Sequence, residues 1–223
     1  MPNVAVILAG CGVKDGSEIH EATLTLYFLD QLGANVDIYA PNRPQYHVVD
    51  HVNDKPDMNQ QRNILQEAAR IARGNVSSLT ELNVNDYDAI VFPGGFGAAK
   101  NLCDYAINGL NMSVEDDVAN VITAAHEANR ILGFICIAPV MAAKLISDVT
   151  VTVGDDSDTA KHIEQLGGYH QVAPVSAVVW DETNRVASTP AYMSGESIKD
   201  IGEGIKALCE LVCAKVADTT AVH

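Results

Sequence analysis

The chain is poor in basic residues. Its 14 Lys and Arg stand against 29 Asp and Glu, a formal charge of −15 at pH 7 with His neutral. Such a surface repels phosphate backbones and anionic headgroups, so nucleic acid and membranes are not expected as partners. The acidity reads as a solubility device. Charged residues make up only 19% of the chain and hydrophobic ones 48%, which argues against disorder and allows a sizeable core. No apolar run reaches the ~20 residues that a membrane span needs. The opening MPNVAVILAG enters a strand pattern directly, without the basic segment and cleavage site of a secretory signal. Cysteines are few and show no paired spacing: Cys11, Cys103, Cys136, Cys209 and Cys213. An odd set of this kind suits a reducing compartment, and a cytoplasmic setting is expected. Cys209 and Cys213, four apart on a helical pattern, read as core filling. No internal repeat, low-complexity tract or linker divides the chain, so residues 1–223 are expected to form one domain.

What the sequence does contain is alternation. Buried strands are predicted at 4–9, 36–40, 88–92 and 131–135, and two more at 176–180 and 185–188 around the turn DETN. Helices are predicted at 18–32, 59–73, 113–129, 139–146, 159–166 and 197–216, with Ser113 and Asp158 as caps. Residues 42–58 read as a polar surface loop with room for a short hairpin. Short Val- and Ile-rich strands alternating with helices indicate a mostly parallel sheet covered on both faces. In such sheets ligands bind beyond the carboxyl ends of the strands. Three strand ends then matter: GCGVKDGSEIHE, PGGFGAAKN and CIAP.

Cys136 falls where a strand gives way to a helix, the layout of a nucleophile elbow. The adjacent helix N-terminus favours thiolate there. A lone cysteine in an apolar run is also ordinary core, and this segment alone leaves both options open. PGGFG supplies adjacent glycines at a second strand end. The N–H groups of Gly95 and Ile137 can there face a developing oxyanion beside Cys136, although a tight turn uses glycines equally well. The spacing lacks the Gly-Lys-Ser/Thr ending of a phosphate loop.

In the third stretch Ser17 can cap the first helix. Glu18, His20 and Glu21 occupy its first turn, where carboxylates also serve as plain dipole complements. A glutamate desolvated at the cleft would have a raised pKa and could share a proton with the thiol; His20 could do similar work. A metal site from these three lacks recognisable spacing, and no metal is expected. Gly10, Gly12 and Gly16 imitate a dinucleotide turn, but with the wrong spacing and no acid at the tip of the second strand. Glu18, Cys11 and Asn101 are further pocket candidates.

Taken together, GCGVKDGSEIHEA, PGGFGAAKNL and GFICIAPVMAAK, in that order and with STPAYM near the end, resemble the ElbB-type proteins of the ThiJ/PfpI superfamily. The likeness spans about residues 3 to 216. It implies a three-layer α/β sandwich with a mostly parallel central sheet, the class I glutamine amidotransferase-like (flavodoxin-like) fold. It places an acid in contact with the cysteine, on Glu21 before Glu18, and carries the oxyanion donors to Gly95 and Ile137. It also implies a homodimer and a cofactor-independent glyoxalase or deglycase activity, a cysteine-dependent lyase of hydro-lyase type acting on small reactive carbonyls.

The pattern departs from relatives at one point. Where many have a histidine after the nucleophile, this chain has Ile137, so no full Cys-His-acid triad is visible. His162-Ile163-Glu164 imitates the glutaminase pair but lies too early and reads as a solvent face, and His170 reads as a surface residue. A redox or carbonyl-stress sensor, or a partner-binding protein, on the same scaffold is the alternative. A glutaminase is less well supported.

Overall fold

A strand covered on both faces must be apolar at every position, because successive side chains point to opposite sides. The central strands meet that demand. In the computed structural model, which describes residues 1–195 and 197–220, the strands are β1 (Asn3–Ile7), β2 (Asn35–Ala40), β3 (Val49–Asp50), β4 (Lys55–Pro56), β5 (Ser77–Ser78), β6 (Ala89–Phe92), β7 (Ile131–Ile135), β8 (Thr150–Val151), β9 (Tyr169–His170), β10 (Val179–Asp181) and β11 (Val186–Thr189). The helices are α1 (Ile19–Gln31), α2 (Ile64–Ile71), α3 (Tyr105–Asn108), α4 (Asp116–Glu127), α5 (Pro139–Leu145), α6 (Ser157–Gln165) and α7 (Ile198–Thr220). One seven-stranded sheet runs in the order β10-β11-β7-β6-β1-β2-β5. All its pairings are parallel except β10 with β11.

Two cores flank the sheet and share the strands alternately. Val4, Val6, Ala89, Val91, Ile131 and Ile135 face one core, where they meet Ala22 and Leu29 of α1, Ile64 of α2, and Ile205 and Leu208 of α7. Ala5, Ile7, Ile90, Phe92, Leu132 and Phe134 face the other, with Val118 and Ile122 of α4, Met141 of α5 and Ile163 of α6. Phe92 and Phe134 stack there at 5.1 Å between ring centroids. Each such fully buried side chain is worth about 1.5–3 kcal/mol in transfer free energy. The result is the expected three-layer α/β sandwich with a mostly parallel central sheet.

The 42–58 segment holds the hairpin for which the sequence left room, β3 against β4. Several other local expectations are corrected. The next helix starts at Ile64 rather than 59. Asp57 draws Asn59 N and Gln60 Nε2 into a turn, and Asn63 caps the helix by accepting from Gln66 N. Ser113 does not cap α4; it bonds Asp104 through its amide and hydroxyl, and Glu115 holds the N-cap position without a side-chain capping bond. In α6 the cap is Asp156, two residues before the expected Asp158, with Oδ1 2.8 Å from Thr159 N. The two-residue strands β5, β8 and β9 were not anticipated.

Candidate functional site

β7, β6 and β1 are neighbours in the sheet, so their carboxyl ends deliver the three motifs to one place. Cys136 follows β7 immediately, with φ +64°. That left-handed conformation costs a non-glycine residue roughly 1–2 kcal/mol. Here it is imposed by the amide, which donates to Thr189 O of β11 at 3.0 Å, and by Pro139 opening α5 at once. The turn aims the side chain at the first helical turn of α1, and the amides of Gly95 and Ile137 are directed at the sulfur.

Glu21 lies fully buried on α1. Glu18 caps that helix and holds the Glu21 amide through Oε2 at 2.7 Å. Oε1 of Glu21 accepts from Tyr192 N at 3.3 Å. Its Oε2 has no hydrogen-bond partner among the described residues, and the carboxyl as a whole lies beside the Cys136 thiol and the Gly94 amide. Gly94 is what lets the two groups meet. A Cβ there would stand 2.4 Å from Cys136 Cβ and 2.7 Å from Glu21 Oε2.

Burial raises the Glu21 carboxyl to about 8, helped by the charge of Glu18 and opposed by the thiol and the amides of Tyr192 and Gly94. Burial, then the Glu21 carboxylate, push the Cys136 thiol well above its ordinary value, with the Gly95 and Ile137 amides pulling the other way. The thiolate expected from the helix N-terminus is therefore corrected. Cys136 is only 7% exposed, and at that burial desolvation outweighs the helix field.

Beside the pair opens a cleft of about 390 Å³, lined by Cys136, Gly95, Ile137 and Glu18 together with Tyr105, Asp156 and Tyr192. Phe96 and Met193 add apolar wall. Sequence reasoning missed Tyr105, Asp156 and Tyr192. STPAYM, which carries Tyr192, was the one signal, and no role followed from it.

The other candidates fall elsewhere. His20 turns away from Glu21 and meets Tyr192 Oη through Nδ1 at 2.7 Å, so it touches the cleft only through that tyrosine. Glu18 Oε1 is 3.9 Å from His20 Nδ1 while Glu21 points inward, so these three side chains diverge rather than converge on a metal. Asn101 does not line the cleft. It is a brace, donating to Ala9 O and Asp15 O and accepting from Tyr46 N. Cys11 is half-buried outside the cleft, where burial and Glu67 raise its pKa.

Ser17 does not cap α1 but accepts from Ala9 N at 2.8 Å. The stretch whose glycines imitate a dinucleotide turn is locked to the PGGFG loop by main-chain bonds. Gly97 N donates to Gly16 O at 2.9 Å, Phe96 N to Val13 O at 2.8 Å and Glu18 N to Gly94 O at 2.8 Å. His162 is not a plain solvent face either: Nδ1 meets Tyr105 Oη at 2.8 Å. His170, half-buried, faces Val153 N, and burial lowers its pKa.

No protein-family model matches the chain. Among curated proteins it is 44% identical over 218 residues to the ES1 protein homolog, mitochondrial, of Rattus norvegicus, covering 94% of this chain and 82% of the relative. It is equally identical to glutamine amidotransferase-like class 1 domain-containing protein 3, mitochondrial, of Homo sapiens, covering 94% and 81%. It is 33% identical to the ES1 protein, mitochondrial, of Danio rerio, covering 86% and 77%.

Among solved structures, an isoprenoid biosynthesis protein with an amidotransferase-like domain from Ehrlichia chaffeensis superposes with a TM-score of 0.89 at 36% identity, covering 96% and 99% of the two chains. A DJ-1 superfamily protein from Salmonella typhimurium, at 22% identity and a TM-score of 0.58 over 99% and 97%, shares the fold. These names correct the compartment: the three curated relatives named above are mitochondrial, against the cytoplasmic setting expected from the sequence. None of them carries the ElbB designation. Kinship at this identity and coverage is decisive, and the chain belongs to the ES1 and glutamine amidotransferase-like class 1 proteins.

Proposed function

We propose that the chain is a cofactor-independent, cysteine-dependent glyoxalase or deglycase, converting glyoxal-like dicarbonyls to 2-hydroxy acids. The observation that carries this reading is the buried contact between the Glu21 carboxyl and the Cys136 thiol at one edge of a cleft, with two backbone amides directed at the same sulfur. A carboxyl poised near pH 8 beside a thiol is placed to take its proton as the sulfur attacks.

The sulfur adds to an aldehyde carbon, and the Gly95 and Ile137 amides receive the resulting oxyanion. Glu21 moves a proton from that carbon to the adjacent one, so that the hemithioacetal becomes a thioester of a 2-hydroxy acid. Water then cleaves the thioester, releasing the acid and restoring the thiol. For glyoxal the sum is one dicarbonyl and one water giving glycolate and a proton. With Ile137 in place of a histidine, Glu21 serves alone, and slow turnover follows. The relatives' names support a mitochondrial setting for this chemistry.

The test is glycolate formation from glyoxal by the native chain and by Cys136→Ser. Loss of activity is expected, and full retention removes Cys136 from the role. A redox sensor needs a low-pKa thiol, and burial pushes the Cys136 thiol up instead. A glutaminase needs a histidine on the nucleophile, and His162 is engaged with Tyr105 instead.

A further inference from the structure

We propose that the cleft filters electrophiles by charge, admitting uncharged and cationic ones and turning away those that carry a carboxylate or phosphate, with Asp156 setting the preference. This rests on the reading of Cys136 as a nucleophile and deepens it by naming the class of carbonyl that reaches the sulfur.

Two of the residues lining the cleft are acids, Glu18 and Asp156, and none is Lys, Arg or His. Among the described residues neither acid forms an ion pair with Lys or Arg. Asp156 spends Oδ1 on the Thr159 amide, 2.8 Å away. The base that feels its field, His170, is held towards its neutral form by burial. Glu18 is engaged with the Glu21 amide and stands 3.9 Å from His20 Nδ1. Lys100 approaches the cleft wall from outside, with Nζ 5.2 Å from the Phe96 ring centroid. It donates to Lys14 O at 2.7 Å and does not line the cleft.

A helix N-terminus would ordinarily welcome an anion. The N-terminus of α6 is already filled by the Asp156 carboxylate, so an incoming anion meets a negative charge where it would otherwise find free amides. The remaining wall, with Val13, Phe96, Ala106 and Met193, suits an apolar body. Aldehydes with apolar or amine-bearing substituents satisfy both features. Oxo acids and phosphorylated carbonyls satisfy neither, because a desolvated anion has no counter-charge to meet.

The test uses a pair of reagents of nearly equal shape, uncharged iodoacetamide and anionic iodoacetate. In either case the Cys136 sulfur displaces iodide from the CH2 group and its proton passes to solvent. The rate at Cys136 is followed by mass spectrometry of the full chain, with 2-mercaptoethanol as an uncharged reference thiol. Cys136 should prefer iodoacetamide over iodoacetate by about tenfold more than the reference does. Asp156→Asn retains a capping oxygen. It should raise the iodoacetate rate about three- to tenfold and leave the iodoacetamide rate within about twofold.

A selectivity equal to that of the reference, or unchanged in Asp156→Asn, overturns the filter. Alkylation by neither reagent overturns both the filter and the nucleophile. The predicted selectivity in a protein that turns over no dicarbonyl upholds the filter and removes the catalytic reading alone.

Discussion

Tyr192 grips Glu21 with its backbone amide, at 3.3 Å, while its hydroxyl meets His20 Nδ1 at 2.7 Å. The two contacts are separable. Tyr192→Phe keeps the first and deletes the second, so Glu21 should stay in place. The expected drop in kcat/KM for glyoxal is about two- to tenfold, well short of the ~10²-fold or greater loss expected for Glu21→Gln. Equal losses in the two variants would make the tyrosine hydroxyl part of the proton-transfer machinery.

Glu21 also sets a pH signature of stability. Its carboxyl is raised from 4.5 to about 8 in the folded chain, so between those values the folded state holds more protons than the unfolded one. Stability from this group is fully present below about pH 4.5 and declines as pH rises towards 8. Glu21→Gln keeps the side-chain volume and an acceptor for Tyr192 N while removing the titration. Melting temperatures of the native chain and the variant should therefore diverge as pH rises from 5 to 8, with the variant the more stable at the upper end. Parallel curves would place the carboxyl in a far more solvated state.

Activity should move the opposite way. Attack by sulfur needs the pair with one proton removed, and that form grows in as pH rises through about 8. The kcat/KM profile for glyoxal should rise across that value. A flat profile between pH 6 and 9 would argue for a preformed thiolate.

Gly94→Ala is the sharpest structural probe. The new methyl would lie 2.4 Å from Cys136 Cβ and 2.8 Å from Ile135 O, so the thiol or the strand end must shift. Overpacking of this kind costs about 1–3 kcal/mol. Dicarbonyl turnover should be lost while circular dichroism keeps the native pattern. Normal activity in this variant would mean that the Cys136–Glu21 contact is dispensable.

Most of the sheet was legible because buried parallel strands are written in continuous apolar runs, and β7 falls where Ile131 to Ile135 indicated. β5, β8 and β9 were not legible. Each is two residues long and exists through backbone pairing with a partner, Ser77 with Tyr39 and Thr150 with Tyr169, which leaves no mark on side-chain pattern. Cys136, Gly95 and Ile137 drew notice because they sit next to apolar runs with glycine or helix-start signals, whereas only the family resemblance singled out Glu21 over Glu18. The rest of the cleft lining could not be found in this way. Tyr105 and Asp156 arrive from segments remote in sequence, and neither spacing nor composition ties them to residue 136. The protonation of the thiol was misread for a similar reason: a helix start is visible in sequence, whereas the depth at which the sulfur lies is a property of the packed whole.

The interlock of the two loops, with Gly97 against Gly16 and Glu18 N on Gly94 O, has a mechanical consequence. One loop leads straight into the helix that carries the carboxyl and the other carries an oxyanion donor, and main-chain bonds rivet the two loops together. Sliding either past its mate would rupture several of those bonds at once. The reactive pair thus inherits its spacing from the scaffold rather than from pliable side chains, and the surface around it is free to drift without detuning the chemistry.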